Sequence, residues 1–576
     1  MPRKLNTMER RARRDVKNRS LARNLTAKQK EAEQAKKNGD VLKGHGFSQV
    51  SMGIRPTQVD ESASAASAPE GPKENSPGLA KRSPGKEQQK AESPVGATEI
   101  SPQIIKGIGG IFDYAAGRLK STGPSGPEEH SPVAGKARSA KVKIAAAKPA
   151  EPQLVEIEKP IYGGAFLARV EGKAVFVPLT LPGEEALVRI TESKHGYATA
   201  EAEEIIRAAP ERTAPACQHF GVCGGCNYQH ANYATQLAFK QAILRETLER
   251  GGVAVPDEIA VLSGEPLRYR NRIRLAFDAA GQPGYRGRRS HAVVPLRECP
   301  IAAPLLVEAA LAFAQIAREV APALRPTEIT LFCDAAESAL LATVSTASAA
   351  KILFDKLSLA LQEKIPALIG AELIFEGRPG KPPRALAEWG ATSLAYRAAG
   401  SDYRVDHGAF FQVNRWLVDA LVDRVTAGHT GKLAWDLYAG VGLFARQLAA
   451  RFDRVVAVES APAATAALEA NLRGTGGAAI TAETLAFLRG SRKPSKSAGP
   501  DLIVVDPQRT GLGAETCALL ADINAPALAC VSCDPATLAR DLGALIASGY
   551  EIQSITLADL FPQTFHLETV VQLRRA

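Results

Sequence analysis

Four apolar segments in the last third of the chain constrain its fold more than any other feature. They are Leu433-Ala434-Trp435-Asp436-Leu437-Tyr438, Arg454-Val455-Val456-Ala457-Val458, Asp501-Leu502-Ile503-Val504-Val505 and Ala527-Leu528-Ala529-Cys530-Val531. Apolar runs without alternation predict strands covered on both faces. Strands that alternate with helical stretches predict a parallel, doubly wound α/β sheet, here over residues 405–576. Such sheets bind ligands outside the carboxyl ends of their strands, so residues at those ends are the first candidates for a site.

A chain of 576 residues is too long for one core and suggests about three domains. Residues 1–152 are poor in aromatics, and Ser-Pro pairs recur at Ser76, Ser83, Ser93, Ser101 and Ser131. Such composition buries too little apolar surface to offset the entropy of ordering, so a disordered extension is expected. Residues 1–150 hold 28 of the 71 Lys and Arg and 15 of the 61 Asp and Glu, leaving 43 and 46 for the rest. The overall charge of +10 therefore belongs to the extension, and any basic RNA-facing surface on the folded part must be local. No run of eighteen apolar residues occurs, and the basic start lacks the apolar core of a secretory signal. A cytoplasmic monomer without a membrane contact is expected.

The short runs Ala174–Leu179 and Ala186–Ile190, separated by a Pro-Gly turn, predict a small β-barrel over residues 153–208. Residues 209–404 read as a mixed α/β region. Within it Arg270, Arg272 and Arg274 alternate, which puts three cations on one strand face and suggests an RNA-facing surface, unless nearby acids pair with them.

Asp436-Leu437-Tyr438-Ala439-Gly440-Val441-Gly442 ends the first strand of the doubly wound sheet and opens a helix. Glycines there let the backbone approach a ligand, and Glu459, ending the next strand, suits the two ribose hydroxyls of a nucleoside cofactor. NAD and S-adenosylmethionine both fit. The missing third glycine of the dinucleotide fingerprint favours S-adenosylmethionine. Cys533 and Asp506 follow neighbouring strands, and His566 and Glu568 adjoin the final one, so a thiol and two carboxylates converge on one rim. Cys530 and Cys533 also form a Cys-x-x-Cys pair, but Cys530 lies inside an apolar strand and should point into packing. Cys333 and Cys517 read as buried thiols. Cys217, Cys223, Cys226 and Cys299 offer four thiolates that suit zinc or a cubane iron–sulfur cluster.

The segments Asp506–Leu512, Ser532–Asp541, Phe561–Val570 and Phe410–Asn414 resemble the RNA (uracil-5-)-methyltransferase family, in particular its iron–sulfur 23S rRNA branch. The resemblance runs from about residue 153 to 576. It implies a Rossmann-like methyltransferase domain, a central domain with a [4Fe–4S] cluster on the four cysteines, and an RNA-binding TRAM barrel. It implies Cys533 as nucleophile, Glu568 as base, and Gln412, Tyr438, Glu459 and Asp506 around the cofactor or base, beside Gly440 of the glycine turn. RNA is the implied substrate, with rRNA favoured over tRNA. Uracil C5 is a poor nucleophile, and a thiolate added at C6 makes it an enolate carbon that can take a methyl group. Two departures stand out. The usual Cys-Asn-Pro reads Cys533-Asp534-Pro535, whose extra charge raises the thiol's pKa if unpaired, and the usual Pro-Pro-Arg reads Pro507-Gln508-Arg509.

Overall fold

The computed structural model describes residues 151–348, 353–377, 383–491 and 499–576; the extension read as disordered lies, through residue 150, outside them. The described chain begins with a closed five-stranded barrel. Its strands are β1 (Gln153–Pro160), β2 (Ala165–Val170), β3 (Lys173–Pro178), β4 (Glu185–Ser193) and β5 (Tyr197–Arg207), in the order β1-β2-β3-β5-β4. Val155 and Ile157, Phe166 and Ala168, and Val175 and Val177 each fall two apart, so every strand sends alternate side chains into the barrel core. That core continues into Tyr228 and Phe239, which seats the barrel on helix α1 (Tyr233–Arg250). The buried Glu184 accepts from Leu181 N–H at 2.7 Å and forms an ion pair with Arg212, fastening the chain that leaves the barrel.

After α1 come β6 (Ala260–Leu262), β7 (Arg272–Phe277), β8 (Pro283–Arg286), β9 (Val293–Pro295), α2 (Pro304–Val320), β10 (Pro326–Cys333), β11 (Leu340–Thr346), α3 (Phe354–Lys364), β12 (Leu368–Phe375) and β13 (Arg384–Gly390). All these strands except β6 form a seven-stranded sheet of order β13-β12-β11-β10-β7-β8-β9, whose core is shared with α2 and α3. A hairpin of β14 (Ser393–Ala398) and β15 (Ser401–Asp406) leads on.

The last part contains α4 (Val418–Thr426), β16 (Gly431–Leu437), α5 (Leu443–Leu448), β17 (Phe452–Glu459), α6 (Pro462–Leu472), β18 (Gly477–Thr481), α7 (Thr484–Ser491), β19 (Leu502–Val505), α8 (Gly513–Ile523), β20 (Ala527–Ser532), α9 (Pro535–Ala547), β21 (Tyr550–Ala558) and β22 (Glu568–Arg575). Its strands run β18-β17-β16-β19-β20-β22-β21-β6, parallel from β18 through β20. Successive residues alternate between two cores. Ala434, Val455, Val504 and Ala529 face one, and Trp435, Val456, Val505 and Cys530 face the other. Both faces are therefore covered, as the unbroken apolar runs require. Strand order reverses between β16 and β19, and the carboxyl ends of these strands are where such sheets hold their ligand crevice. The segment 233–262, grouped by sequence with the central region, joins this sheet: β6 pairs with β21, and α1 shares a core with α9.

The three alternating arginines do not form a free cationic face. Arg274 pairs with Glu328, while Arg272 donates to Ala409 O at 2.6 Å and lies 4.2 Å from the Phe332 ring centroid. Arg270 precedes β7, and its guanidinium reaches back to Arg272 O at 3.4 Å. Contacts made by folding, an acid on β10 for Arg274, a loop carbonyl and an aromatic ring for Arg272, take up these side chains, and periodicity alone does not reveal them. No helix among the described residues is long and apolar enough to cross a membrane.

Helix α1 is tied to the C-terminal sheet by an ion pair with no exposure on either side: Lys240 Nζ lies 2.6 Å from Asp559 Oδ1 and also donates to Phe561 O at 2.9 Å. Tyr233 donates to the other Asp559 oxygen at 2.9 Å. Removing one partner of such a pair strands a buried charge, at a cost of about 3–5 kcal/mol. Lys240→Met is expected to lower the denaturation midpoint sharply, and Lys240→Met/Asp559→Leu to recover much of the loss. Equal midpoints for the single and double variants in a urea melt would contradict the assignment.

Candidate active site

Within the crevice, the loop leaving β16 turns tightly. Tyr438, Gly440 and Gly442 all have positive φ, at 63°, 55° and 88°. A Cβ on Gly442 would lie 2.7 Å from Leu468, so that glycine serves strand-to-helix packing. A Cβ on Gly440 would meet nothing within 4 Å, so that glycine faces open space. Glu459, at the end of β17, accepts from Gly440 N–H at 2.9 Å and from Ser460 and Ala461 N–H at 2.7 Å each. Three N–H donors leave its carboxylate one lone-pair position for a ligand hydroxyl. Tyr438 packs beside Thr484 and Thr516.

Asp436 is a further member of this pocket. Fully buried, it accepts from Ala445 N–H at 2.8 Å with one oxygen, while Oδ1 has no partner among the described residues. Burial pushes its carboxyl up to about 8, with further upward pushes from Asp506 and Glu459. A buried carboxyl raised in this way, the Glu459 acceptor and an open glycine backbone suit a cationic ligand that carries hydroxyls. S-adenosylmethionine, a sulfonium with a ribose, has that chemistry.

Cys533 follows β20, Asp506 follows β19, and Glu568 opens β22 between them and the barrel. Burial pushes the Cys533 thiol up to about 12; Glu568 adds to that shift, and the Arg509 cation opposes it. Glu568 is buried, and its carboxyl is held well above the ordinary range by desolvation and then by Asp506, with Arg509 again opposing. Desolvation lifts Asp506 to about 7. The thiol, both carboxyls and one cation thus act on one another at a single rim. Asp534, the residue that departs from the usual asparagine, accepts from Ala536 and Thr537 N–H at 3.0 and 2.9 Å and caps α9. Its charge is spent on the helix start, and it comes last among the groups acting on Cys533. From the barrel, Tyr162 reaches the same loop: its hydroxyl donates to Cys533 O at 3.4 Å, and its ring stands edge-on to Phe565 at 5.6 Å.

The loop carrying Glu568 is held from several sides. Gln563 has φ of 70°, unusual for a non-glycine residue, and hydrogen bonds maintain it. Asn227 and Tyr228 N–H donate to Gln563 O at 2.9 and 3.0 Å, and Gln236 exchanges two hydrogen bonds with Gln563. Tyr269 donates to Pro562 O at 3.0 Å, and Asn414 Nδ2 to Leu560 O at 3.2 Å. The buried Gln412 lies just before Asn414, its carbonyl accepting from Asn271 Nδ2 at 3.0 Å.

Cys217, Cys223, Cys226 and Cys299 are all half-buried free thiols. The Cys223 segment is held against β8 and its following turn by Gly224 N–H to Arg286 O at 3.0 Å and Arg288 N–H to Val222 O at 2.8 Å. Tyr285 Oη lies 3.8 Å from Cys299 Sγ. Burial pushes Cys223 up to about 11 and Cys226 up to about 12, and their neighbouring thiols push both further. The four side chains are therefore electrostatic neighbours across the 72 intervening residues. Among the described residues, no three or more Cys, His, Asp or Glu are arranged to hold a single metal ion.

Residues 391–576 match the tRNA (Uracil-5-)-methyltransferase family and residues 146–202 the TRAM domain. An uncharacterized RNA methyltransferase of Streptomyces avermitilis is 33% identical over 445 residues, covering 73% of this chain and 98% of that protein. The 23S rRNA (uracil(1939)-C(5))-methyltransferase of Halomonas elongata is 32% identical over 431 residues, covering 72% and 87%. The chain belongs to the RNA (uracil-5-)-methyltransferase family. The fold of this methyltransferase is that of the Pyrococcus abyssi tRNA (uracil-54, C5)-methyltransferase, solved with S-adenosyl-L-homocysteine. The TM-score is 0.60 at 24% identity, over 73% of this chain and all of that one.

Among the residues singled out from the sequence, Cys533, Asp506 and Glu568 come together at the rim, and Tyr438, Gly440 and Glu459 stand at the ends of β16 and β17. Sequence reading assigned no role to Asp436, Arg509 or Tyr162. An acid one residue before the end of a strand that precedes a glycine turn is a usable signal for Asp436. Tyr162 has none, because only folding brings residue 162 to residue 533.

A thiol raised this far is protonated near neutrality. Its alkylation by iodoacetamide in the ligand-free protein is expected to rise about tenfold per pH unit from about pH 7 to about pH 10. Peptide-resolved mass spectrometry reads this, and a plateau at Cys533 below about pH 9 would contradict the burial argument.

Proposed function

We propose that this methyltransferase acts on C5 of a uridine in 23S rRNA through a covalent bond between Cys533 and C6 of the base. The observation that carries the reading is the convergence of Cys533, Glu568, Asp506 and Arg509 on the rim next to the glycine crevice. S-adenosylmethionine, when bound among Asp436, Gly440, Glu459 and Asp506, supplies an electrophilic methyl group.

The Cys533 thiol gives its proton to solvent water as its sulfur bonds to C6, and the electron pair of the C5–C6 double bond moves into an enolate. Once C5 carries the methyl group, Glu568 takes the C5 proton as general base. The C6–S bond then breaks, restoring the double bond and the Cys533 thiolate. Arg509 holds positive charge where thiolate and enolate develop, and Asp506 suits the polar edge of the base. The target nucleotide must leave its stack to reach Cys533, which costs a few kcal/mol in a duplex and less in a loop. The TRAM barrel supports RNA binding by backbone and stacking contacts.

We also propose a [4Fe–4S] cluster on Cys217, Cys223, Cys226 and Cys299. A cubane spreads its four ligand sulfurs wider than a single ion does, in keeping with neighbouring thiols that do not form a mononuclear site. Its role is structural, joining the Cys217–Cys226 loop to Cys299. A tRNA substrate is the second reading, favoured by the fold shared with the tRNA enzyme.

Incubation with 5-fluorouracil-containing RNA and S-adenosylmethionine is expected to trap a covalent complex, because fluorine at C5 blocks the final proton removal. Cys533→Ala should form none and lose about 10⁴-fold or more in turnover. Glu568→Gln should accumulate methylated adduct. Full turnover by Cys533→Ala would end the mechanism. Mapping 5-methyluridine in rRNA and tRNA from a deletion strain separates the two substrates. For the cluster, Cys223→Ser is expected to give colourless, poorly soluble protein lacking iron, and a brown, soluble variant would overturn the assignment.

A further inference from the structure

His566 stands beside Arg509 at the rim, and the proposed chemistry gives it no task. Its ring lies against Phe565, with centroids 4.3 Å apart, and edge-on to Phe561 at 5.6 Å. Its Nδ1 is 3.3 Å from an Arg509 terminal nitrogen. A guanidinium only donates, so Nδ1 accepts and the ring's proton is on Nε2. Among the described residues this is the one hydrogen bond the Arg509 guanidinium makes. Two carboxyls, Asp506 and Glu568, lie on the same rim, yet the cation is oriented by an uncharged nitrogen. A carboxylate in that place would neutralise Arg509; a neutral imidazole aims it and leaves its full charge to act on Cys533 and Glu568.

We propose that His566 is a positioning residue that holds the Arg509 guanidinium toward the Cys533 thiol, so that the cation stabilises the thiolate. The inference rests on the reading of Cys533 as nucleophile. The surroundings favour a neutral ring: burial, and after it Arg509, Lys240 and Arg270, push the imidazole down to about 3. Arg509 is fixed from its other side as well. Its carbonyl accepts from Thr537 Oγ1 at 3.2 Å, in the first turn of the helix that starts just after Cys533. Cation and thiol are thereby attached to one short piece of backbone, and His566 sets the remaining freedom, the direction of the guanidinium.

The test is the pH profile of Cys533 alkylation by iodoacetamide in the full-length protein, read peptide by peptide. His566→Ala is expected to slow alkylation about tenfold at a given pH, equivalent to a rise of one pH unit in the thiol's pKa. His566→Asn, whose amide oxygen sits where Nδ1 was, should restore the rate to within about twofold. In an Arg509→Ala background, His566→Ala should add nothing. His566→Gln, which places its oxygen at the Nε2 position and keeps the volume, should behave as His566→Ala does and serves in its place if the alanine variant does not fold. A His566→Ala or His566→Gln profile that superimposes on the native one would overturn the proposal. So would a tenfold effect that persists undiminished without Arg509. Because alkylation needs no RNA, it stays readable if fluorouracil trapping fails, and the two ideas fall separately.

Discussion

The catalytic end of this enzyme depends on a charge pair that never meets water. Lys240 and Asp559 are 2.6 Å apart with neither side chain exposed. Each would be costly to bury alone, so the pair forces helix α1 and the chain leaving β21 to stay in register. Nine residues after Asp559 comes Glu568, and everything between is tied to other elements. Gln236 and the cysteine loop hold Gln563, Tyr269 holds Pro562, and Asn414 holds Leu560. The loop that leads to Glu568 is thus positioned by side chains 146 to 327 residues before their partners in it.

The same arrangement explains how a site crowded with acids can work. Asp436, Glu459, Asp506 and Glu568 share one edge of the sheet, and burial raises the carboxyls of Asp436, Asp506 and Glu568. Such crowding destabilises the ligand-free protein locally, and a positively charged ligand is the natural relief. The fixed cation on the rim, Arg509, is turned toward the thiol by a neutral partner, so the crevice keeps its appetite for a cation while the rim keeps charge for the nucleophile. Asp534, which looks harmful in sequence, has a structural task, since its carboxylate accepts from two N–H donors that open α9.

The cysteine loop and the barrel also serve the site. Asn227 and Tyr228, directly after Cys226, donate to the strained Gln563, so order in the cysteine loop is felt in the catalytic loop. Tyr162 brings the barrel to the carbonyl of Cys533.

By itself the sequence determined the local elements: the apolar strands 433–438, 454–458, 501–505 and 527–531, the glycine turn before α5, and two of the five barrel strands. These follow from short-range rules of periodicity and backbone freedom. It also determined which residues stand at strand ends, hence Cys533, Asp506, Glu459 and Glu568. Tertiary structure alone decided what those residues experience. Arg272 and Arg274 looked like an RNA-facing row until cross-strand partners claimed them, and β6 joined a sheet nearly three hundred residues downstream. Nothing in the sequence around Lys240 and Gln236 points to their partners Asp559 and Gln563, which lie more than three hundred residues away. Burial, pairing and pKa depend on distances in space, and local pattern carries no record of them.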